Sequence, residues 1–550
     1  MNTFKGTLKN YLLSALKQAG YKDIEPEVLP TLISKYGDYY STVALKLAKK
    51  DGKQTAEKIA KFLQAKLAKN GALFNVEVAK NGFLNLTLSS EFLCIILRKI
   101  IEENESFGKS EHGSGKKVQV EFISANPTGP LTIGNGRGGF MGDTLAYCLG
   151  KAGYSVSREY YVNDTGNQIK ILGVSILDAL GIKSEDRQDL YRGEYIVEIA
   201  KDLEKEIDIE RYKNKALEIG EKAAQLILEK FIKKALVKTK IKFDTFISEK
   251  SLHEKNKIKA ALNLLKNQGL IEEREGAIWF KIKGVEDRDR VLVRSKVGGN
   301  EPTYFLADIA YHLDKIERGF DKIINIWGAD HAGYVARMKA AAAALDFSDR
   351  LDIIIVQLVR LIDNGQEVRM SKRTGTFISL EELVDMVGLD VARFFFISHA
   401  ANTHMDFNLK LAKERSQKNP VYYVQYAHAR CCSILKEAQN QGFKMDKIVK
   451  SDAKLLKHPS ERDLIVQISK LPEITEDISE NYSVHLLPLY VQRSADLFHK
   501  FYEQVRVIDD KDKETSLARL SLVVATKIAL REACGLMGVS CPERMEKVDS

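Results

Sequence analysis

Apolar and polar positions follow two different periods along the chain, and the changes of period mark its elements. Apolar residues recur at helical spacing over 3–67, and residues 74–89 then alternate between apolar and polar around an Asn-Gly turn. A polar, glycine-rich stretch follows at 106–117. This pattern predicts an N-terminal α+β domain over residues 1–110.

The next 290 residues alternate strand-like and helix-like segments. Runs rich in β-branched and aromatic residues predict strands at 117–124, 156–162, 322–327 and 353–357, and a helix is predicted over 138–152. Strands that alternate with helices are typical of a parallel sheet, so residues 111–400 are predicted to form an α/β domain of the Rossmann type. The charged, helical pattern from 184 to 268 predicts a helical insertion at about 184–290, and residues 401–550 predict an α-helical bundle.

The composition is that of a soluble multidomain protein. Of 550 residues, 44% are hydrophobic and 29% are charged, which excludes a disordered or collagen-like chain. The net charge is +9, and residues 1–110 hold 17 Lys and Arg against 11 Asp and Glu. Such a basic end suits a polyanion, although a solvated lysine-rich surface explains the charge equally well.

The six cysteines predict neither a disulfide framework nor a zinc site, because they show no CxxC or Cys/His spacing. No apolar run is long enough to predict a membrane span, and the N-terminus does not have the pattern of a signal peptide. We therefore expect a cytoplasmic protein without a structural metal and without a membrane partner. We also expect a monomer.

A glycine-rich loop follows the first predicted strand of the α/β domain. The glycines at 134, 136 and 139 satisfy the GxGxxG pattern, and Glu159 lies at the distance expected of a ribose-binding acid. This spacing favours a dinucleotide-binding dehydrogenase in one interpretation. In the other, the glycines only permit a tight turn from strand to helix.

A second loop, far downstream, changes the balance between these interpretations. Residues 365–375 contain Arg369, Lys372 and Arg373 between two glycines. Cations on such a loop can neutralise the charge that develops on a leaving pyrophosphate, for which a dehydrogenase has no use. The P-loop pattern GxxxxGK[ST] is absent from the sequence, so a P-loop enzyme is excluded.

Together the two loops resemble the signatures of class I aminoacyl-tRNA synthetases. The pair consists of NPTGPLTIGNGRGG (126–139) and RMSKRTG (369–375), which correspond to His-Ile-Gly-His and Lys-Met-Ser-Lys. Surrounding segments are similar to arginyl-tRNA synthetases, in the same order: EFISANPTGPL, REYYVNDTGNQI, TYFLADIAYH, GFDKIINIWGADHAGYVARMKAA and YYVQYAHAR. The resemblance covers nearly the whole chain.

The resemblance implies ATP-dependent activation of L-arginine, with Mg²⁺, and transfer of the arginyl group to tRNA(Arg). Thr132 and Asn135 replace the two histidines of the first signature, and both can donate hydrogen bonds to phosphates. The catalytic residues it implies are Thr132, Asn135, Arg369 and Lys372. The implied ATP-binding residues are Pro127, Thr128, Gly129, Pro130, Leu131, Ile133, Gly134, Gly136, Met370 and Ser371.

For the amino acid, a guanidinium needs a planar carboxylate partner and aromatic walls. Residues 304, 308, 311 and 312 share one face of a predicted helix, a stripe that is also typical of partly buried structure. The resemblance implies that Tyr304 and Asp308 hold the guanidinium. The other residues that it implies for arginine are Glu121, Ser124, Asn126 and His331.

For tRNA, the C-terminal helices supply interleaved aromatic and basic residues. Stacking on unpaired anticodon bases is the proposed role of Tyr422, Tyr423, Tyr426 and Arg430, although aromatic residues at helical spacing are usually core. The resemblance assigns anticodon binding to residues 401–550 and the outer corner of the tRNA to residues 1–110. The alternative function is a synthetase-like tRNA-binding protein with impaired catalysis, suggested by the missing histidines.

Overall fold

The structure is a computed structural model of the whole chain. It describes residues 3–21, 24–31, 36–51, 56–67, 74–79, 82–182, 189–212, 214–281, 290–295, 301–368 and 378–545. Within these ranges the predicted fold class, an N-terminal α+β unit, a parallel-sheet α/β unit and a helical C-terminal unit, is confirmed.

The N-terminal unit packs helices on a small antiparallel sheet with strand order β1-β2-β4-β3. The alternation in the sequence produces it, because Leu84, Leu86 and Leu88 of β4 are buried while the residues between them are half-buried. The elements are α1 Phe4–Gln18, β1 Leu29–Pro30, β2 Tyr39–Ser41, α2 Val43–Asp51, α3 Ala56–Leu67, β3 Phe74–Val78, β4 Leu84–Leu88 and α4 Ser90–Glu103.

A five-stranded, wholly parallel sheet forms the centre of the molecule. Its elements and those inserted between them are β5 Lys117–Glu121, α5 Ile133–Lys151, β6 Ser155–Val162, α6 Asn167–Ala179, α7 Glu194–Glu206, α8 Ala216–Ile227, α9 Lys234–Lys238, β7 Thr245–Ser248, α10 Glu249–Glu254, α11 Lys257–Asn267, β8 Ile271–Arg274, β9 Ala277–Phe280, β10 Arg290–Val293, α12 Tyr304–Glu317, β11 Lys322–Gly328, α13 Val335–Ala344 and β12 Leu351–Val356. The strand order is β12-β11-β5-β6-β7, so all four predicted strands lie in it. The carboxyl ends of these strands form the edge where such sheets bind ligands.

The insertion expected at about 184–290 is not purely helical. Its residues 245–248 form β7, which pairs in parallel with β6 as an edge strand of the central sheet. Residues 271–274 and 277–280 form β8 and β9, which pair with β10 in a separate antiparallel sheet. These four-residue strands were not predicted because so short a segment shows no clear alternation within a charged, helical neighbourhood.

The last part of the chain is helical apart from a small mixed sheet. Its elements are β13 Val359–Asp363, β14 Gln366–Glu367, α14 Leu380–Val387, α15 Leu389–Ile397, β15 Met405–Asn408, α16 Leu409–Lys413, α17 Pro420–Asn440, α18 Met445–Val449, α19 Pro459–Ile468, α20 Leu471–Asn481, α21 Leu486–Gln504 and α22 Lys513–Met537. Strand β13 joins the end of the central sheet to the residues that precede 369. The helical bundle begins at α17.

Polar contacts dock the N-terminal unit on helices α19 and α20. Arg462 holds both carboxylate oxygens of Asp38, at 2.9 and 2.6 Å. The carboxyl group of Glu473, which is 4% exposed, accepts hydrogen bonds from the Tyr39 hydroxyl at 2.9 Å and the Lys5 backbone N–H at 2.8 Å. The N-terminal unit and the C-terminal helical bundle therefore contact each other through buried ionisable groups, Asp38 and Glu473.

Candidate active site

The turn after β5 is conformationally strained. Ile123 and Ser124 both have a positive φ, at 65° and 37°, a region that a β-branched residue rarely occupies. The Ser124 hydroxyl accepts a 3.1 Å hydrogen bond from the Tyr161 backbone N–H, which ties the turn to β6. Strained backbone of this kind is often found at functional sites, and this turn lies at the carboxyl edge of the sheet.

Helix α5 begins within the glycine-rich loop, five residues earlier than predicted. Thr132 is its N-cap, and the Asn135 side chain reaches back to it. The Oδ1 atom of Asn135 accepts hydrogen bonds from the Thr132 N–H and hydroxyl, both at 2.9 Å. Asn135 therefore offers its amide Nδ2 as a donor at the positive end of the helix dipole, while Thr132 orients it.

The same helix end contacts the chain just after the second signature. Thr132 forms an antiparallel bridge with Ser379, and the Leu380 backbone N–H donates to the Leu131 carbonyl at 2.9 Å. The contact is close, because a Cβ atom added to Gly136 would lie 2.5 Å from a terminal carbon of the Leu380 side chain. Residues 369–377, with Arg369, Met370, Ser371 and Lys372, lie outside the described residues, but their C-terminal flank adjoins the first signature.

Two buried acids, together called the acidic pocket below, lie near Tyr161, the residue hydrogen-bonded to Ser124 of the turn after β5. The Tyr334 hydroxyl donates a 2.5 Å hydrogen bond to Asp308 Oδ2 on α12, and Tyr304, 48% exposed, begins the same helix. Glu249, the first residue of α10, is 4% exposed. Burial raises the pKa of both carboxyls to about 7, and the charge of Asp308 adds to the shift at Glu249. Among the described residues neither of these two acids forms an ion pair, so the pair suits a positively charged ligand.

A buried chain of hydrogen bonds links this pocket to Glu121, the last residue of β5. The Lys315 ammonium donates to Glu121 Oε2 at 2.5 Å and to Asn325 Oδ1 at 3.0 Å. The Asn325 amide nitrogen lies 2.7 Å from His312 Nε2, and His312 Nδ1 lies 2.7 Å from the Asp308 carbonyl. Burial lowers the pKa of His312 to about 3, so its ring is neutral and the chain is consistently paired.

Glu159 is not available to a ribose. The Arg318 guanidinium donates to both of its carboxylate oxygens, and the Tyr311 hydroxyl donates to Oε1 at 2.6 Å. The carboxylate is fully buried within β6. The dehydrogenase interpretation loses the acid on which it depended.

The remaining predicted residues differ in their environments. Pro127, Thr128 and Gly129 are buried, and the Thr128 carbonyl accepts a 3.0 Å hydrogen bond from Tyr195. Asn126 donates to Gln168 Oε1 at 2.5 Å. His331 is exposed on the short helix after β11, with Nε2 3.4 Å from Asp330.

Sequence analysis missed Glu249 and Tyr334. Glu249 follows β7, the strand that was not predicted, so no pattern connected it with Asp308, 59 residues later. Tyr334 stands in the segment GFDKIINIWGADHAGYVARMKAA that carried part of the resemblance, and that segment was the signal available for it.

A groove in the helical unit is lined by two of the four residues proposed for tRNA, Tyr426 and Arg430, and Tyr422 and Tyr423 are not among its lining residues. Its volume is about 990 Å³, and it lies between the ends of α17 and α21. The Arg430 guanidinium lies between the rings of Tyr426 and Tyr502, 5.0 and 4.7 Å from their centroids. Tyr422 stacks on Tyr426 with ring centroids 6.4 Å apart, whereas Tyr423 packs inward against His499.

Comparison with known proteins decides the family. Residues 6–88 match the arginyl tRNA synthetase N terminal domain, residues 96–401 the class I (R) tRNA synthetase catalytic domain, and residues 424–545 the DALR anticodon binding domain. The chain is 41% identical to the arginine–tRNA ligase of Carboxydothermus hydrogenoformans, covering 98% of each chain. The chain belongs to the arginyl-tRNA synthetase family.

Other members of this family show the same relationship. The arginine–tRNA ligase of Bacillus subtilis is 42% identical over 98% of this chain and 99% of its own. The solved structure of an arginyl-tRNA synthetase from Campylobacter jejuni is 35% identical, covers 83% of this chain and all of its own, and has a TM-score of 0.74. The Thermus thermophilus arginyl-tRNA synthetase, 21% identical with a TM-score of 0.79, has the same fold over 99% of this chain.

The described residues include neither a helix that could span a membrane nor a side-chain cluster that could hold a metal ion. No helix among them is long and apolar enough to cross a membrane. In the same ranges no group of three or more His, Cys, Asp or Glu side chains could hold a metal ion.

Proposed function

We propose that this chain activates L-arginine with ATP and transfers it to the 3′-terminal adenosine of tRNA(Arg), with release of AMP and diphosphate. The observation that carries the proposal is the bridge between Thr132 and Ser379. It places the N-terminus of α5 against the flank of the basic loop at the carboxyl edge of the sheet. ATP is proposed to bind here with Mg²⁺, whose oxygen ligands are largely the phosphates themselves.

The amino acid is proposed to lie across the sheet edge from Glu121 to the acidic pocket. Asp308 and Glu249 would receive the guanidinium, with the rings of Tyr304 and Tyr334 as walls. Glu121, fixed by Lys315, would accept the α-ammonium group. Ser124, Asn126 and His331 remain proposed contacts to the polar groups of the substrate.

In the proposed reaction the arginine carboxylate attacks the α-phosphorus of ATP in line, and pyrophosphate leaves. Asn135 would donate its amide to the phosphates, with backbone N–H groups of the 127–136 turn, while Lys372 and Arg369 neutralise the leaving group. The arginyl-adenylate is then attacked by a hydroxyl of the terminal adenosine. A monomer is proposed with this function, and the nucleotide and tRNA substrates support a cytoplasmic location.

The test is exchange of labelled pyrophosphate into ATP with arginine and tRNA(Arg) present. We expect exchange that requires arginine and is lost in Lys372→Ala, and Asp308→Asn is expected to lower kcat/KM for arginine about 100-fold. Asp202→Asn, which removes a surface carboxylate in the insertion, serves as the control. Absence of exchange with folded protein and cognate tRNA would overturn the proposal in favour of a catalytically impaired tRNA-binding protein.

A further inference from the structure

Arg137 is a buried cation without a counter-ion. Its side chain is fully buried in α5, and among the described residues no carboxylate forms an ion pair with it. Its two terminal nitrogens donate to the carbonyls of Gln357 and Ala400, at 2.8 and 2.9 Å. Within the same ranges its Nε atom has no hydrogen-bond partner.

This arrangement is costly, because a buried charge is normally paired. Burial alone lowers the pKa of Arg137 to about 10, which leaves the guanidinium charged at neutral pH. A second buried arginine, Arg393 of α15, also packs against α5. It forms an ordinary buried ion pair with Asp143, at 2.7 Å. The lack of a partner at Arg137 therefore needs another explanation.

The position of the charge supplies one. Arg137 is the fifth residue of α5, about 6 Å along the helix axis from Ile133, and helical side chains lean toward the N-terminus. Gln357 directly follows β12, so the guanidinium lies near the carboxyl edge of the sheet. An unneutralised positive charge thus stands behind the helix end that carries Thr132 and Asn135.

We propose that Arg137 is an electrostatic positioning residue, which adds an unscreened positive charge to the phosphate site at the N-terminus of α5. Its counter-ion is the triphosphate of the bound nucleotide. The inference rests on the proposed function, because it assumes that the phosphates bind there. It also explains how a signature without histidines holds the polyanion, since a cation in a low-dielectric surrounding acts over several ångströms.

The charge should matter for phosphates and not for the rest of the nucleotide. By Coulomb's law, a unit charge about 8 Å from an anion, in an effective dielectric of about 20, changes the affinity for that anion by roughly tenfold or more. We therefore expect Arg137→Gln to raise the KM for ATP and the dissociation constant for pyrophosphate at least tenfold. Inhibition by adenosine, which has no phosphate, should change less than twofold.

A purely structural role would behave differently. Arg137→Lys keeps the charge with altered hydrogen bonds, so we expect it to restore most of the pyrophosphate affinity. Lys151→Met is the matched control, because it removes a cation from the same helix about 21 Å away, where Glu532 already neutralises it at 2.9 Å. The ratio of pyrophosphate to adenosine affinity should stay at the wild-type value in that variant.

The measurements are equilibrium titrations of the full chain with pyrophosphate and adenosine, with a melting curve for each variant. Equal weakening of both ligands in Arg137→Gln, or a ratio unchanged from wild type, overturns the inference. Failure of Arg137→Lys to retain a higher ratio than Arg137→Gln also overturns it. Because arginine-dependent exchange by the wild-type chain is measured separately, a negative result here is distinguishable from failure of the proposed function.

Discussion

The phenol of Tyr334 donates a 2.5 Å hydrogen bond to the Oδ2 atom of Asp308. This contact opposes the effect of burial, because it stabilises the ionised carboxylate whose pKa burial raises to about 7. The protonation state of Asp308 near neutral pH therefore depends on the hydroxyl of Tyr334, which itself carries no charge.

The first prediction concerns pH. Below pH 7 Asp308 and Glu249 hold protons, and a neutral acid binds guanidinium poorly, so the KM for arginine should fall as the pH rises from 6 to 8. Tyr334→Phe removes the donor and should move the inflection to higher pH. The inflection is measured by steady-state kinetics, as the KM for arginine at six or more pH values. Tyr490→Phe, which removes a buried phenol of the helical unit, should leave the inflection in place.

The second prediction separates the two residues that replace the signature histidines. Asn135→Ala removes the proposed phosphate donor and should lower kcat for exchange by about 100-fold. Thr132→Ser keeps the hydroxyl that orients Asn135, and we expect activity within about threefold of wild type. Both variants should lose only about 1 kcal/mol of stability or less, as expected for a helix cap. An Asn135→Ala variant with unchanged kcat would contradict the role of its amide.

The third prediction concerns the groove of the helical unit. Arg430→Ala removes the guanidinium between Tyr426 and Tyr502, and we expect the KM for tRNA to rise about tenfold, the range of one lost stacking or cation–π contact. The dissociation constant for arginine should not change. Filter binding of tRNA at two salt concentrations would check this. Arg360→Ala removes an exposed arginine that is paired with Asp406 and is not among the residues lining the groove, and it serves as the control.

The fourth prediction concerns the interface between the first and last units. Burial raises the pKa of Glu473 to about 7 from an ordinary value of 4.5, so the folded chain holds its proton more tightly than the unfolded chain. This contribution to stability is complete below pH 4.5 and is lost as the pH rises through 7. Nearby charged groups are Lys5, Lys470, Asp38 and Asp477.

Melting temperatures between pH 5.5 and 8.5 test this linkage. Across that range wild type should lose about 2 kcal/mol of stability through this group, whereas Glu473→Gln should show a flatter profile. Glu25→Gln, which alters an exposed acid of the N-terminal unit, should melt like wild type. A Glu473→Gln profile parallel to that of wild type would contradict the assignment.

Much of the fold could be predicted from the sequence because the strands of its central sheet are rich in β-branched and aromatic residues. Strands β5, β6, β11 and β12 each have enough β-branched residues to stand out, and all four lie in the sheet. The start of α5 was missed, because four glycines within seven residues carry little helix propensity. Tertiary packing stabilises the start of the helix instead. Gly136 and Gly139 let the side chains of Leu380 and Ile123 approach the helix backbone closely.

The candidate site was only partly predictable, for a topological reason. Residues adjacent in the sheet come from distant parts of the chain, so Glu249 joins Asp308 only because β7 pairs with β6. Glu159 shows the opposite case: its spacing suited a ribose, but no local pattern reveals that Arg318 occupies it. Partners of buried charges are set by tertiary structure rather than by spacing.

Helix α5 also has a mechanical consequence. It spans 19 residues, or about 28 Å, with Asn135 at one end and Lys151 at the other. Lys151 is tied to Glu532 of α22, and Asp143 in the middle is tied through Arg393 to the end of that same helix. Because α5 is attached to α22 at both of these points, a tilt of the C-terminal bundle would move the end of α5 that carries Asn135 together with its distal end.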